Sequence, residues 1–461
     1  MNVLLVKPVN YSHQVVPPLG LGYLATALSR NGHRVALLDC IKEGMDFEGF
    51  EQYLATHPAD MVGFQMFSCD LKNAARQAEI AKRVRPGIVT VAGGPHPSAL
   101  PEETLLENPA LDFVFVGEAE IGLPMLAAEL EAGGMEFERV PGLAWRNENT
   151  VRRNAPAFVD DLDSLGFPMW ELIDPRTYPV AVSGFFYKNA PIAPIVTTRG
   201  CPHLCTFCGG RSVSGRKLRR RSPHDVIREI EMLRSDYGVR EFQIVDDNFS
   251  SSKKFVAEIC TELIDRKLNM TWCLPNGVRI DSLDDDLLTL MRKAGCYEFA
   301  IGIESGSQRV LDHMKKHLTL DRIERGVSMI ARHGINVNGF FITGYPWSDE
   351  DDLRKTIEFA CRLKLRRANF TNFLPLPGTE ATRLLAEEGR LNDVDWSEMF
   401  YAKAAFAPPG TSRKALKRWQ RRAFLRFYLR PRQILAMLSD LRSFSHFKIV
   451  MRRSFDFLFM R

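Results

Sequence analysis

Three cysteines lie within eight residues in the stretch TTRGCPHLCTFCGG, residues 197–210. They are Cys201, Cys205 and Cys208, and their spacing is C-x-x-x-C-x-x-C. Thiolates are ligands for zinc and for iron–sulfur clusters. A structural zinc site normally has four protein ligands, and each disulfide joins two cysteines. A set of three cysteines therefore matches neither arrangement. The spacing therefore indicates a metal centre that takes no fourth ligand from this loop.

The sequence offers no convincing fourth ligand elsewhere. His203 lies between the first two cysteines, too close to join the same ion as both of them. Cys260, Cys273, Cys296 and Cys361 lie in helical or strand patterns and are predicted to be buried small hydrophobes. A cubane of four irons would explain the odd number, because three irons take thiolates and the fourth keeps an open position for a chelating substrate. Zinc and redox thiol sites are the alternatives.

The elements around the cysteines predict a parallel barrel. From residue 193, six strand patterns alternate with helical patterns, at 193–200, 241–247, 270–277, 297–304, 336–344 and 369–378. Six units are two short of a complete TIM barrel, so a partial (β/α)6 barrel is predicted. Such barrels carry their chemistry on the loops after the strands. The three cysteines follow the first strand directly and are therefore expected at the active face.

The first 125 residues predict a second α/β domain, a Rossmann-like doubly wound parallel sheet, because continuous apolar strands alternate with helices there. Glycine-rich loops follow three of the strands, at 17–22, 93–101 and 117–124. Ligands of such sheets bind at the carboxyl ends of the strands. No G-x-G-x-x-G opens a helix, so the nicotinamide fingerprint is absent. Turn glycines in a purely structural domain are the alternative.

These patterns divide the α/β chain into four parts. They are a Rossmann-like domain at 1–135, a connector at 136–192 with a small hairpin, a barrel at 193–405, and a basic helical region at 406–461.

The cysteine motif, with Phe207 before its last cysteine and the six-unit barrel after it, resembles the signature of the radical S-adenosylmethionine (SAM) enzymes. The resemblance implies a 4Fe–4S cluster on Cys201, Cys205 and Cys208, with SAM chelated by the open iron. It implies cleavage of SAM to a 5′-deoxyadenosyl radical and an external reductant such as flavodoxin or ferredoxin. The SAM contacts implied by position are Phe207, Gly209, Gly210, Glu304, Ser305 and Gly344.

The N-terminal motifs PPLGLGYLATAL, VAGGPHPSALP and VGEAE resemble the cobalamin-binding branch of that family. The branch implies cobalamin between the domains, with Gly20, Gly93, Gly94 and Glu118 as its contacts. The chain departs from the usual cobalamin motif D-x-H-x-x-G. The run from Asp39 to Gly44 has Ile41 where the histidine should be, and His13 is interpreted as a loop residue. A domain that binds no cobalamin is therefore the alternative.

Composition limits the partners. Hydrophobic residues make up 45% and charged residues 25%, which is typical of a soluble globular protein. The net charge is +5, yet residues 411–461 hold fourteen Lys and Arg against two Asp, so the basic character is local. No RNA-binding module accompanies this tail, and no nucleic-acid partner is expected. The tail predicts either interfacial helices with a peripheral membrane contact or helices packed on the barrel.

Cysteine usage and the amino terminus predict a cytoplasmic protein. Nine cysteines, an odd number, argue against a secreted disulfide scaffold. The start MNVLLVKPVN is too short and too soon interrupted for a signal peptide, and there is no run of about 18 apolar residues.

The resulting hypothesis is a radical SAM enzyme that uses cobalamin to methylate an unactivated carbon of a small-molecule or lipid-like substrate. A radical SAM cyclase or carbon-skeleton-modifying enzyme without net methyl transfer is one alternative. A noncatalytic cobalamin or cluster sensor is the other. The residues expected in the substrate pocket, without individual roles, are Asp246, Asp247, Asn248, Asn276 and Arg279.

Overall fold

A computed structural model describes the fold of residues 1–10, 15–148, 150–179, 187–391, 394–400, 403–441, 444, 447–448 and 451. His13 lies outside the described residues. The chain forms two compact units. The N-terminal unit comprises residues 1–179, 199–202 and 209–221, and the C-terminal unit comprises 180–198, 203–208 and 222–461. The predicted division into four parts stays a prediction.

The N-terminal unit contains a seven-stranded sheet in the order β2-β1-β3-β4-β5-β6-β7. Its strands are β1 Asn2–Lys7, β2 Arg34–Asp39, β3 Met61–Gln65, β4 Val89–Gly93, β5 Phe113–Phe115, β6 Leu143–Asn147 and β7 Thr150–Arg153. Strands β1 to β5 are parallel, which confirms the predicted parallel sheet. The predicted hairpin is β6–β7, and it extends this sheet in the antiparallel sense, because β6 buries Leu143 and Trp145 in the same core as Phe113.

Helices connect the strands of this unit and cover the sheet. They are α1 Leu19–Arg30, α2 Phe47–Thr56, α3 Leu71–Val84, α4 Pro95–Ala99, α5 Pro101–Glu107, α6 Gly122–Glu131 and, in the returning segment, α7 Arg211–Ser214.

The C-terminal unit contains a six-stranded parallel sheet in which neighbours in sequence are neighbours in space. Its strands are β8 Ile192–Ile195, β11 Glu241–Ile244, β12 Thr271–Val278, β13 Cys296–Glu304, β14 Asn336–Thr343 and β15 Arg367–Asn372, and two short strands, β9 Thr198–Arg199 and β10 Arg219–Arg220, fall between β8 and β11 in the sequence. Strands β8 and β15 are the two edges, so the sheet is open, as a partial barrel requires.

Helices alternate with these strands and continue beyond the last one. They are α8 Pro223–Tyr237, α9 Lys253–Asp265, α10 Asp285–Lys293, α11 Gln308–His313, α12 Leu320–Arg332, α13 Glu350–Arg362, α14 Glu380–Glu387, α15 Arg413–Tyr428 and α16 Pro431–Ser439. Large aromatic side chains fill the barrel core, and Phe242 stacks on Trp272 at 5.8 Å between ring centroids.

One face of the basic tail packs on the barrel. Helix α15 buries Leu416, Gln420, Ala423 and Phe427. The Gln420 amide donates to the Phe370 carbonyl at 2.7 Å and accepts from the Asn372 side chain at 2.9 Å, so the helix is bonded to β15. None of the described helices is long and apolar enough to cross a bilayer.

Candidate functional site

Backbone hydrogen bonds hold the loop that carries the three cysteines. Gly200 has φ +88°, and a Cβ there would collide with the Lys217 carbonyl, so only glycine permits this tight turn before Cys201. The Cys201 amide donates to the Gly215 carbonyl at 3.3 Å. Further along, the Thr206 amide donates to the Met314 carbonyl at 3.1 Å.

The cysteines that are not fully buried are the three of the cluster motif together with Cys69 and Cys361. Cys201 and Cys205 are half-buried and Cys208 is exposed, and none of the nine cysteines forms a disulfide. Burial raises the thiol pKa of the other six cysteines: to about 12 for Cys40, Cys69 and Cys260, well above the ordinary value for Cys273 and Cys296, and in the same direction for Cys361. A metal-binding cysteine must be a thiolate, so burial disfavours ligation at each of the six cysteines outside the loop.

The donor set fits a cluster. Within the described ranges, no three His, Cys, Asp or Glu side chains are grouped to hold one metal ion. An iron–sulfur cubane instead takes each thiolate on a separate iron, and three accessible thiols on one loop supply such a set.

Glu304 ends β13 in a left-handed conformation, φ +65°, and is buried. Its carboxylate accepts a hydrogen bond from Lys316 Nζ at 2.8 Å. This ion pair lies against Gly302, where a Cβ would collide with both the carboxylate and the Lys316 Nζ. Burial lowers the pKa of Lys316, but Glu304 and then Cys205 outweigh it and hold that pKa above its ordinary value. Lys316 Nζ also lies 6.0 Å from the Phe207 ring centroid. The structure therefore links predicted residues Phe207 and Glu304 through a lysine that the sequence analysis missed.

The other predicted SAM contacts lie at strand ends or after the cysteines. Ser305 is buried. Its Oγ lies 3.1 Å from the Thr356 hydroxyl oxygen and accepts a hydrogen bond from the Ser307 amide at 3.1 Å. Gly344 follows β14, next to β13, and the Leu416 side chain lies against it. Gly209 and Gly210 precede α7 and belong to the N-terminal unit.

Asp246 fixes the chain just before the cysteine loop. It follows β11, is buried, and accepts from the Thr197 amide at 2.7 Å, the Thr197 hydroxyl at 2.5 Å and the Thr198 hydroxyl at 2.9 Å. Burial raises the Asp246 pKa to about 6, although these hydrogen bonds lower it.

The remaining pocket candidates have different surroundings. Asp247 is exposed and Asn248 is buried. The exposed Asn276 donates to the Val245 carbonyl at 2.6 Å. Arg279 pairs with Asp281 at 2.9 Å and donates to the Lys316 carbonyl at 3.3 Å.

Three of the four predicted cobalamin contacts are glycines that end β4 or lie in the segments after β1 and β4. Gly93 ends β4, and Gly94 has φ +120° with its Cβ position 2.9 Å from the Met66 carbonyl oxygen, so no other residue fits there. Gly20 is exposed in the first turn of α1, with no atom within 4 Å of its Cβ position. The open position at Gly20 and the lack of a side chain at Gly93 let a ligand approach the backbone closely. Glu118 differs, because it is buried and its carboxylate binds Arg219 at 2.7 and 2.6 Å.

Comparison with known proteins identifies the family. Residues 195–360 match the radical SAM superfamily and residues 8–127 match the B12 binding domain. The cytidylyl-2-hydroxyethylphosphonate methyltransferase of Streptomyces wedmorensis is 30% identical over 83% of this chain and 80% of its own. The chain belongs to the B12-binding branch of the radical SAM superfamily. The anaerobic magnesium-protoporphyrin IX monomethyl ester cyclase of Rubrivivax gelatinosus is 28% identical, over 86% of this chain and 72% of its own.

A solved structure confirms the fold. The radical SAM methyltransferase TsrM from Kitasatospora setae, with cobalamin and a 4Fe–4S cluster bound, superposes with a TM-score of 0.69. The superposition covers 84% of this chain and 75% of TsrM, and the two sequences are 20% identical.

The family membership settles several expectations. The protein is an enzyme of a cobalamin-dependent radical SAM methyltransferase family, and its cofactors are a 4Fe–4S cluster, SAM and cobalamin, as predicted. The zinc alternative and the noncatalytic sensor are therefore wrong. An enzyme of this family needs a substrate and a reductant.

Replacing Asp246 by Asn should change how stability depends on pH. The native carboxyl keeps its proton up to pH about 6, whereas the unfolded one loses it near pH 4. The unfolded state then binds fewer protons between these values, so this group's contribution to stability falls as pH rises from about 4 to about 6. The free energy of unfolding of Asp246→Asn, relative to wild type, should therefore increase across that window, by about 3 kcal/mol.

Urea unfolding at several pH values measures this difference. The matched control is Asp247→Asn, because Asp247 is the exposed neighbour. A difference between Asp246→Asn and wild type that stays flat from pH 4 to 7 would contradict the prediction.

Proposed function

We propose that this enzyme methylates an unactivated carbon of a small-molecule or lipid-like substrate. The supporting observation is the combination, in one chain, of three accessible thiols on a barrel loop with a B12-binding domain, together with a 30% identical relative that is a methyltransferase. When bound, the cluster and SAM supply a deoxyadenosyl radical and cobalamin supplies a methyl group.

The residues of the chain hold and orient these groups. Cys201, Cys205 and Cys208 ligate the cluster. Phe207, Gly209, Gly210, Glu304, Ser305 and Gly344 are proposed to contact SAM. Because Lys316 already binds the Glu304 carboxylate, that carboxylate is oriented before SAM arrives and needs no reorganisation. Gly20, Gly93 and Gly94 are proposed to contact cobalamin.

A cyclase-type reaction without net methyl transfer is the second candidate. The relative from Rubrivivax gelatinosus supports it, since that protein is a cyclase with similar coverage. The two candidates share the cysteine loop and differ in the fate of the SAM methyl group.

SAM with a deuterated methyl group distinguishes the candidates. With reduced flavodoxin or ferredoxin as the proposed reductant, mass spectrometry should find deuterium in the product and deoxyadenosine beside it. Cys208→Ala should lower deoxyadenosine formation at least a hundredfold, because the cluster loses a ligand. The control Cys361→Ala changes a half-buried thiol outside the loop and should keep activity. Product without label would favour the cyclase-type reaction, and SAM cleavage that survives Cys208→Ala would refute the assigned site.

Gly20→Ala tests the cobalamin contact without disturbing the fold. No atom lies within 4 Å of the Gly20 Cβ position, and alanine favours a helix over glycine by about 1 kcal/mol. If Gly20 contacts the corrin, the variant should keep or raise its melting temperature while its cobalamin content, read from the absorption spectrum, falls severalfold. The control is Gly87→Ala, also exposed and open, before the amino end of β4. Equal cobalamin content in both variants would remove Gly20 from the site.

The enzyme is proposed to be cytoplasmic, with peripheral contact to anionic membranes through α15 and α16. A groove on α15 is lined by Arg418, Arg421, Arg422, Leu425, Arg426, Leu429 and Arg430. Four apolar side chains nearby are 43–67% exposed: Leu429, Ile434, Leu435 and Leu438. Arginine beside exposed leucine is typical of surfaces that bind anionic lipid.

Vesicle sedimentation measures this contact. Each basic residue near an anionic surface contributes about 1 kcal/mol, so Arg418→Ala with Arg422→Ala should weaken binding to phosphatidylglycerol vesicles roughly thirtyfold. Neutral phosphatidylcholine vesicles should bind weakly. The control pair Lys293→Ala with Lys364→Ala removes equal charge from other exposed positions. Equal binding by both pairs would contradict the proposed contact.

A further inference from the structure

Four buried charged side chains form one cluster inside the N-terminal unit. The Arg219 guanidinium binds both Glu118 carboxylate oxygens, at 2.7 and 2.6 Å, with side chains only 2% and 6% exposed. Arg199 binds Glu120 at 2.7 Å and lies 3.5 Å from Glu118. Because Glu118 is shared by both arginines, the four residues act as one network.

The two arginines flank the cysteine loop. Arg199 lies two residues before Cys201, and Arg219 follows Gly209, Gly210 and α7. Both carboxylates come from the motif VGEAE, directly after β5. The sequence separation of Arg219 and Glu118 is 101 residues, so the network ties both ends of a distant loop to one strand end.

Further contacts fix the orientation of both guanidinium groups. Arg219 also donates to the Val159 carbonyl and the Ser214 carbonyl, each at 3.0 Å. Arg199 lies over the Tyr23 ring at 4.8 Å, and Arg219 over the Phe158 ring at 5.1 Å. A planar guanidinium held by a two-oxygen bond and a ring face has one orientation available, which lysine could not reproduce.

Stability alone gives little reason for this network. Removing charges from water is costly, and well-packed apolar residues often stabilise a core as much as a buried ion pair does. Its geometry offers a reason, because the two-oxygen pairing with Glu118 sets the direction of the chain that carries Arg219, and Glu120 binds Arg199 at 2.7 Å on the other side of the cysteines.

We propose that Glu118 and Glu120 are positioning residues that, through Arg219 and Arg199, hold residues 199–202 and 209–221, and with them Cys201, in the geometry the cluster needs. Glu118 then acts on the cysteine loop and not as a cobalamin contact. This inference rests on the proposed function in one respect, that Cys201 ligates the cluster.

The test compares Glu118→Gln with wild type in two measurements. The first is hydrogen exchange of residues 199–221 in the full chain without cofactors, which needs no activity. Glu118→Gln should raise exchange there at least tenfold and leave helices α8 and α9 unchanged. The second is the electron paramagnetic resonance signal of the reduced reconstituted cluster, which should broaden and respond less to added SAM, with cobalamin content within twofold of wild type.

Two further variants complete the design. Arg219→Lys keeps the charge and loses the two-oxygen geometry, so it should raise exchange by an intermediate amount. Asp160→Asn is the matched control. It breaks the exposed ion pair between Asp160 and Lys217, whose charged atoms lie 2.8 Å apart, and Lys217 belongs to the segment 199–221. It should change neither measurement. If Glu118→Gln does not fold, Arg219→Lys against Asp160→Asn gives the same comparison.

The outcomes are separable. Unchanged exchange and an unchanged cluster signal in Glu118→Gln would overturn the inference. Loss of cobalamin with both measurements unchanged would also overturn it and return Glu118 to the cobalamin site. Failure of the proposed function would show differently, as a wild-type protein that binds no cluster while the exchange difference between variants persists.

Discussion

The cysteine loop carries the three proposed cluster ligands, and its position depends on neighbours that bind its backbone, its flanks and two of its own side chains. Thr206 is buried with its hydroxyl 2.8 Å from the Tyr345 hydroxyl, and Phe207 packs against the buried cluster that contains Tyr345. Asp246 takes three hydrogen bonds from Thr197 and Thr198 just before the loop. Gly215 and Met314 accept bonds from amides inside it. These partners lie far from the loop in the sequence, or on its other side, so no local pattern predicts them.

Burial of the six cysteines outside the loop affects which thiols can become ligands. Outside the loop every thiol lies where burial raises its pKa, and such a thiol is a poor ligand and a poor nucleophile. Burial therefore disfavours ligation by the cysteines outside the loop, and this adds to the spacing within the loop as a reason to propose Cys201, Cys205 and Cys208 as the ligands.

The sequence predicts the layout well, because its signals are local. Apolar runs predict the parallel strands of both sheets within a few residues, and the cysteine spacing predicts the cofactor. What it misses is long-range. The hairpin β6–β7 joins the first sheet through packing with Phe113, which no local pattern encodes. The ion pair of Glu304 with Lys316 and the pairing of Glu118 with Arg219 join residues whose types are unremarkable by themselves. Gln420 in the basic tail looks like a solvated residue, yet it is fully buried against β15.

That buried glutamine has a consequence for how the enzyme meets a surface. Helix α15 is locked to the last barrel strand on one face, and its arginines and the neighbouring leucines point outward on another. If the proposed lipid contact forms, it would meet a helix already packed on the barrel, so α15 itself would not have to fold on binding. The angle between the bilayer and the barrel strands is then set by the packing of α15, and every molecule on the membrane would present its barrel in the same orientation.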